Sequence, residues 1–343
     1  MLLTMIVLGI ETTCDETACA VVVDGREILS NVVSSQIDIQ REFGGVVPEL
    51  ACRRHIDVLL PVVDQALSDA GVSFEDIDLI AVAKGPGLIG PLMIGINAAK
   101  SLSWATGIPF IGVSHIEAHL YGALMSHGHR VPFPCLGAVL SGGHTSLIYM
   151  EGVGKYRLIG NTVDDAVGEA FDKTAKILGL PYPGGPEIEK IARGGDSKRF
   201  SLKAGMVKSR PFDFSFSGLK TGVLYAAKGP KSQYKSPLLI SEDDIPHLAA
   251  SFQEAALSDI VCKTLKAAAF YGCESIIFGG GVTCNGRLRE MFAEKNPKRH
   301  YYWPSGALSL DNAAMIAGLG FERYSLAKSG DSLDLEANTS LAF

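Results

Sequence analysis

The sequence lacks the features of a secreted or membrane-spanning chain. Its seven cysteines (14, 19, 52, 135, 262, 273, 284) are odd in number and scattered, without a C-x-x-C pair. That argues against a disulfide framework and a cysteine-based zinc site, and for a reducing, cytoplasmic home. No run of about 18 uncharged apolar residues occurs, so no membrane span is expected. The opening MLLTMIVLGIE has neither a basic leader nor a small-residue cleavage site and reads as a buried first strand. Long polar low-complexity stretches are also missing, so disorder is expected only in short loops and in the tail after about Ser329.

What is present is a globular composition: 343 residues, 47% hydrophobic, enough for a large core and two domains. Strand and helix signals alternate, which predicts an α/β protein. Strands are expected at Met5–Ile10, Thr17–Val23, Glu27–Val33, Ile77–Ala83 and Pro109–Val113, with helices over Pro48–Ala70 and Leu92–Ala105. A second strand pair, Cys135–Leu140 and Thr145–Met150 around the turn Ser141-Gly142-Gly143, repeats the N-terminal pair about 128 residues later. Actin-like and sugar-kinase-like proteins hold nucleotide phosphates with two such turns across a cleft, because small turn residues let backbone N–H groups reach an anion. Glu11, Thr12 and Thr13 are phosphate-loop candidates in the first turn. A third glycine-rich junction, Phe278 to Asn285, adds to the case for a nucleotide.

The net charge is −6, yet the stretch Lys190–Lys235 carries eleven Lys/Arg against Asp196 and Asp213. Such asymmetry points either to a solvated face or to a surface for a phosphate backbone. Lys198, Arg199, Lys203 and Lys220 are its nucleic-acid-facing candidates.

Three constellations could carry chemistry. In Ser114-His115-Ile116-Glu117-Ala118-His119, Ser114 and Glu117 suit a capping box, placing His115 and His119 on one helix face where one metal ion could bridge them. Two histidines on an ordinary helix surface are the alternative. A zinc-protease motif is excluded, because its glutamate must follow the first histidine directly and Glu117 lies on the far side of the helix. Asp311 is the candidate third ligand, or else a helix N-terminal carboxylate; two His and one carboxylate suit Fe(II) or Zn(II) as a Lewis acid. Second, Asp165, Glu169 and Asp172 share a helix face and should repel unless they meet a donor-rich ligand. Third, Leu180-Pro181-Tyr182-Pro183-Gly184-Gly185-Pro186 suits a rigid wall against a flat ligand, or a tight turn.

Taken in order, Gly9–Thr17, Gly44–Ala51, Gly85–Leu88, His115–His119, Ser141–Thr145, Gly168–Lys176, Asp213–Thr221 and Gly279–Asn285 resemble the tRNA N6-adenosine threonylcarbamoyltransferase family, called TsaD in bacteria and formerly labelled a glycoprotease. The resemblance runs from about residue 5 to about 325. It implies a two-lobed actin-like ATPase (ASKHA) fold, α/β with duplicated β-hairpin phosphate-binding cores. Residues 1–115 are expected as one lobe, joined by a C-terminal helix 310–343, and 116–309 as the other, with a basic insertion at about 190–245.

The implied reaction moves a threonylcarbamoyl group from threonylcarbamoyl-AMP to the adenosine N6 beside the anticodon in tRNAs reading codons that begin with A, releasing AMP. Carried over by position, His115, His119 and Asp311 look like ligands of one divalent metal, Fe(II) ahead of Zn(II). Val139, Leu140, Ser141, Gly142, Gly143, Asp172, Gly185, Glu189 and Asn285 look like the adenylate-binding set, and no Ser or Cys nucleophile is called for. A TsaB-like paralogous dimerisation partner and a small TsaE-like P-loop ATPase are implied as well. Ala118 stands where the family commonly has glycine and Glu189 where relatives often have aspartate, and 227–244 matches poorly. A sugar or acyl kinase of the same fold and a small-molecule O-carbamoyltransferase are the rival readings.

Overall fold

The computed structural model describes residues 4–128 and 130–340. In chain order the elements are β1 (Ile6–Glu11), β2 (Glu16–Val23), β3 (Glu27–Ser35), α1 (Ile37–Phe43), α2 (Pro48–Ala70), β4 (Leu79–Gly85), α3 (Ile89–Thr106), β5 (Phe110–Ser114) and α4 (His115–Ser126). There follow β6 (Cys135–Leu140), β7 (Thr145–Gly152), β8 (Lys155–Asn161), α5 (Val167–Ile177), α6 (Gly184–Ala192), α7 (Ser217–Lys228) and α8 (Asp244–Phe270). The last are β9 (Ser275–Gly279), α9 (Gly286–Lys295), β10 (His300–Tyr302), α10 (Gly306–Ser309) and α11 (Ala313–Ala327).

The chain forms two compact units. One comprises residues 1–39, 46–131 and 303–343, the other 40–45 and 132–302. The border expected after residue 115 is thus displaced to 131/132, because α4 packs on α11 and stays whole with the first unit. Residues 1–3 of the expected first lobe, and 341–343 of the expected helix 310–343, lie outside the described residues.

In the first unit a five-stranded sheet runs β3-β2-β1-β4-β5, antiparallel at β1–β2 and β2–β3, parallel at β1–β4 and β4–β5. Its central strands are apolar almost throughout because helices cover both faces. Leu8, Ile10, Ile80 and Val82 meet Val58, Val62 and Ala66 of α2 and Ile96 and Ala99 of α3 on one face. Pro48 in the first turn of α2 and the left-handed Gly71 after its last residue explain why that helix is bounded as its sequence predicts. The other face of β1 carries α11, made possible by Gly9: a Cβ there would lie 2.3 Å from the Ala313 carbonyl oxygen.

Through residue 340 the tail is ordered against the first unit, contrary to expectation. Asp331 donates its N–H to the Phe110 carbonyl and accepts the Gly112 N–H (both 2.8 Å), the Asn338 N–H donates to the Lys84 carbonyl, and Leu335 packs on the core. These contacts satisfy backbone groups of β4 and β5 that would otherwise face water unpaired.

The second unit repeats the first. Its sheet runs β8-β7-β6-β9-β10, again antiparallel in the first three strands and parallel in the rest, so β6 to β10 answer β1 to β5 one for one. Edge-to-face pairs, both 5.0 Å between centroids, join α5 to α8 (Phe171 with Phe252) and β9 to α9 (Phe278 with Phe292).

Candidate functional site

In the first unit β5 runs directly into α4, the turn closed by the Ser114 hydroxyl accepting the Glu117 N–H at 3.4 Å. The first helical residue, His115, and His119 one turn later are both buried. Asp311 arrives from the other end of the chain. Its neighbour Asn312, not Asp311, caps α11 by accepting the Met315 N–H, so the aspartate is not consumed as a helix cap. Asp311 Oδ1 lies 3.2 Å from His119 Nε2 and 3.6 Å from His115 Nε2, and the three ligand-type atoms fall within 4.8 Å of one another. The rings sit edge to face at 4.5 Å.

The electrostatics differ between the two imidazoles. Burial works against a charge on His115, but the Glu11 and Asp311 carboxylates outweigh it and raise its pKa to about 9. Burial, joined by the neighbouring His115, pushes His119 down, so its contact with Asp311 is not an ion pair at neutral pH. Neither ring nitrogen of His119 makes a hydrogen bond, although the residue is fully buried. A buried polar ring left in that state is costly unless something else binds it. Two imidazole nitrogens and a carboxylate oxygen converging there have the composition and spacing to hold one divalent cation.

Glu11, proposed from sequence for a phosphate loop, has its carboxylate engaged otherwise. One oxygen accepts the Thr13 N–H at 2.6 Å and the other lies 2.8 Å from His115 Nδ1, with the side chain wholly buried. Thr12 is engaged too, its hydroxyl donating to the Pro91 carbonyl. Thr13 Oγ1 lies 3.4 Å from His115 Nδ1. Two residues escaped notice in the sequence. His55 of α2 clamps this turn, with Nδ1 2.7 Å from Thr17 Oγ1 and Nε2 3.0 Å from the Cys14 carbonyl; nothing local in α2 signals such a contact. Glu16 has its carboxyl pushed up by burial and by Asp15 and Asp311, a crowding of acids that the adjacent letters Asp15-Glu16 did hint at. Glu117 is buried, its carboxyl raised by that burial and eased by Arg323 and Lys84.

In the second unit three loops meet around the β6–β7 turn. The Ser141 N–H donates to the His144 carbonyl and its hydroxyl accepts the His144 N–H, which fixes the turn that follows buried Val139 and Leu140. Gly142 and Gly143 are exposed, with open space where side chains would be. Gly168 at the start of α5 and Gly280 after β9 close on this turn, since a Cβ on either would strike the Ser141 or Leu140 carbonyl. Asp172 Oδ1 accepts the Gly184 N–H at 2.7 Å, setting the start of α6 beside open Gly185. Glu189 accepts the Gly286 N–H at 3.1 Å, and Asn285 both caps α9 and donates to Gln253. These contacts tie the β6–β7 turn to the starts of α5 and of the segment after β9, and α5 and α6 to the Gly184 and Gly286 segments, within this unit.

The acids of the 165–172 stretch meet donors from the chain itself: Asp165 pairs with Lys173 and Lys220 at 2.7 and 2.6 Å, and Glu169 with Lys173 at 2.7 Å. Lys220 is thereby removed from the nucleic-acid-facing set, being mostly covered and neutralised. Asp164 holds the start of α7, accepting the N–H groups of Phe216 and Ser217. Lys198, Arg199 and Lys203 remain exposed, Arg199 in a loose pair with Asp244 at 3.5 Å.

Comparison with known proteins settles the kinship. The family model described as tRNA N6-adenosine threonylcarbamoyltransferase matches residues 27–318. The chain belongs to that family. A relative of that name from Protochlamydia amoebophila is 64% identical over 335 residues, covering 98% of this chain and 97% of the relative, and one from Chlamydia felis is 50% identical, covering 93% and 92%. Membership makes the chain a transferase and sets aside the kinase and small-molecule readings.

Among solved structures, full-length HypF in its phosphate- and nucleotide-bound form is similar with a TM-score of 0.61 at 12% identity, over 95% of this chain and 56% of HypF. Component A of the (R)-2-hydroxyglutaryl-CoA dehydratase of Acidaminococcus fermentans is similar with a TM-score of 0.52 at 14% identity, over 94% and 99%. At such identities the likeness concerns the fold alone, and with the repeated strand order it makes this an actin-like ATPase (ASKHA) fold.

Proposed function

We propose that this chain transfers the threonylcarbamoyl group of threonylcarbamoyl-AMP to N6 of the adenosine 3′ of the anticodon in tRNAs reading ANN codons, and releases AMP. The observation that supports it most is the convergence of His115, His119 and Asp311 in a chain whose relatives carry that enzyme's name.

His115, His119 and Asp311 would hold one divalent cation, Fe(II) ahead of Zn(II). Such an ion supplies Lewis-acid stabilisation of negative charge on an acyl or phosphoryl oxygen. Glu11 orients His115 so that Nε2, not Nδ1, is presented toward Asp311. In the second unit, Val139 to Gly143, Asp172, Gly185, Glu189 and Asn285 are the proposed adenylate contacts. The uncovered backbone at Gly142 and Gly143 lets N–H groups approach an anionic oxygen. The acyl-adenylate is already activated, so attack by the adenosine amine needs alignment and charge stabilisation, and no covalent enzyme intermediate.

Lys198, Arg199 and Lys203 are proposed to face tRNA. A TsaB-like paralogue and a TsaE-like P-loop ATPase are the proposed protein partners, and the exposed apolar pairs Ile56/Leu60 on α2 and Ile89/Met93 on α3 support a protein-docking face in the first unit. Among the described residues no helix is long and apolar enough to cross a membrane, and the proposed location is the cytoplasm.

Mass spectrometry of tRNA nucleosides after depletion of the protein tests the reading. Threonylcarbamoyladenosine should fall with unmodified adenosine rising in its place, and unchanged levels would refute it.

A further inference from the structure

Helix α8 carries a surface that the metal centre and the adenylate set leave unexplained. At four-residue spacing Ser258, Cys262, Lys266 and Phe270 follow one another along its outward side, over about 18 Å at the helical rise of 1.5 Å per residue. Toward its start the stripe borders a groove of about 600 Å³ whose opposite wall carries Lys198, Phe200 and Lys203. The acids on that groove are matched within the chain, Asp259 by Lys263 at 2.7 Å and Glu254 by Arg287 at 3.1 Å. Lys198 and Lys203 thus make it a place for anions.

At its other end the stripe runs into an aromatic cluster. Phe270, 74% exposed, stands 5.0 Å from Tyr271 and 5.8 Å from Phe212, and Tyr271 stands 5.5 Å from Tyr149. The Arg157 guanidinium lies over both Tyr149 and Tyr271, at 5.1 and 5.0 Å from their centroids. Lys155 on the same strand is exposed, as is Lys208 before Phe212, whereas the exposed Arg210 is paired with Asp213 at 2.9 Å. A phenylalanine this far into water beside a ring-stacked guanidinium does little for the core. It has the composition of a base-stacking platform, sequence-tolerant because every nucleobase presents a π-face.

We propose that the solvent side of α8 is an RNA track. Phosphates of the tRNA lie against Lys198, Lys203 and Lys266, and an unpaired base of the same tRNA stacks on Phe270 beside Tyr271 and Arg157. The proposal rests on the tRNA reading above and commits to one occupant on two grounds: cations continue from the groove to the platform, and the substrate offers both phosphates and unstacked bases.

The test measures tRNA affinity of the full chain against salt concentration for wild type, Phe270→Ala, Phe270→Leu, Phe270→Trp and Lys198→Glu/Lys203→Glu, with transfer kinetics in the reconstituted reaction. Phe270→Ala and Phe270→Leu should weaken tRNA binding by roughly tenfold with the salt slope intact, because stacking releases no counterions. Phe270→Trp should restore it. The double charge reversal should flatten the slope, and in kinetics the Phe270 variants should raise KM for tRNA while kcat stays near wild type. Wild-type affinity in Phe270→Ala overturns the proposal, as does wild-type affinity in Phe270→Leu, which would mark an apolar contact of another kind. A wild-type chain that neither binds nor modifies tRNA overturns the functional reading itself, and the track with it.

Discussion

Glu11 Oε2 stands 2.8 Å from Nδ1 of His115, at the buried end of β1 and across 104 residues of sequence, and its other oxygen is held by the Thr13 N–H. This orients the imidazole: Nδ1 faces Glu11, and Nε2 is turned toward Asp311, where a cation would replace its proton.

Glu11→Gln keeps the shape and loses the charge. Metal affinity, read by titration of the metal-free protein, should fall roughly 10- to 100-fold, as is usual when a carboxylate behind a ligating histidine is lost. Affinity equal to wild type would mean that Glu11 serves only packing.

Lys220, expected from sequence to face nucleic acid, is instead a partner of Asp165. Lys220→Met should lower the unfolding free energy by about 1.5–3 kcal/mol, the range for hydrogen bonds to charged groups, and leave the salt dependence of tRNA binding unaltered. Denaturant unfolding and salt titration separate this from a loss of tRNA contact at unchanged stability.

Much of the fold was legible because its signals are local. Pro48 and Gly71 bound α2, apolar runs mark the central strands, and the four-residue spacing of His115 and His119 is enough to put both on one helix face. The unread parts depend on partners distant in sequence: Lys220 with Asp165 across 55 residues, Asp164 with the start of α7 across 52, Glu11 with His115, and the tail with β5. An acid's own neighbours say that it needs a donor; they do not say whether the donor is ligand or lysine. The same limit assigned Glu11 to phosphate when its closest charged group is a histidine.

His55 should give the first unit a recognisable pH response. Burial pushes its pKa below the ordinary histidine range. With the folded value depressed, the unfolded chain binds more protons as pH drops through about 6.5, so the stabilisation is present above that pH and is lost below it. The difference in urea midpoint between wild type and His55→Gln should therefore shrink on acidification from pH 7 toward 5. A difference independent of pH would contradict the assignment.

β1 and α11 meet at Gly9, and α11 begins two residues after Asp311. Gly9→Ala places a methyl against the Ala313 carbonyl and should destabilise by about 1–3 kcal/mol through overpacking. Metal affinity should fall with it, because the displaced helix carries Asp311 away from the histidines; calorimetry of both properties in one variant checks the link.

The most direct test of the central claim is single-turnover transfer from purified threonylcarbamoyl-AMP to tRNA by the His115→Ala/His119→Ala variant, with metal content and folding measured on the same sample. The account predicts a folded protein that retains no stoichiometric metal and transfers at least about 100-fold more slowly, the scale expected when a major electrostatic contribution to the transition state is removed. Transfer at the wild-type rate by that variant would contradict it.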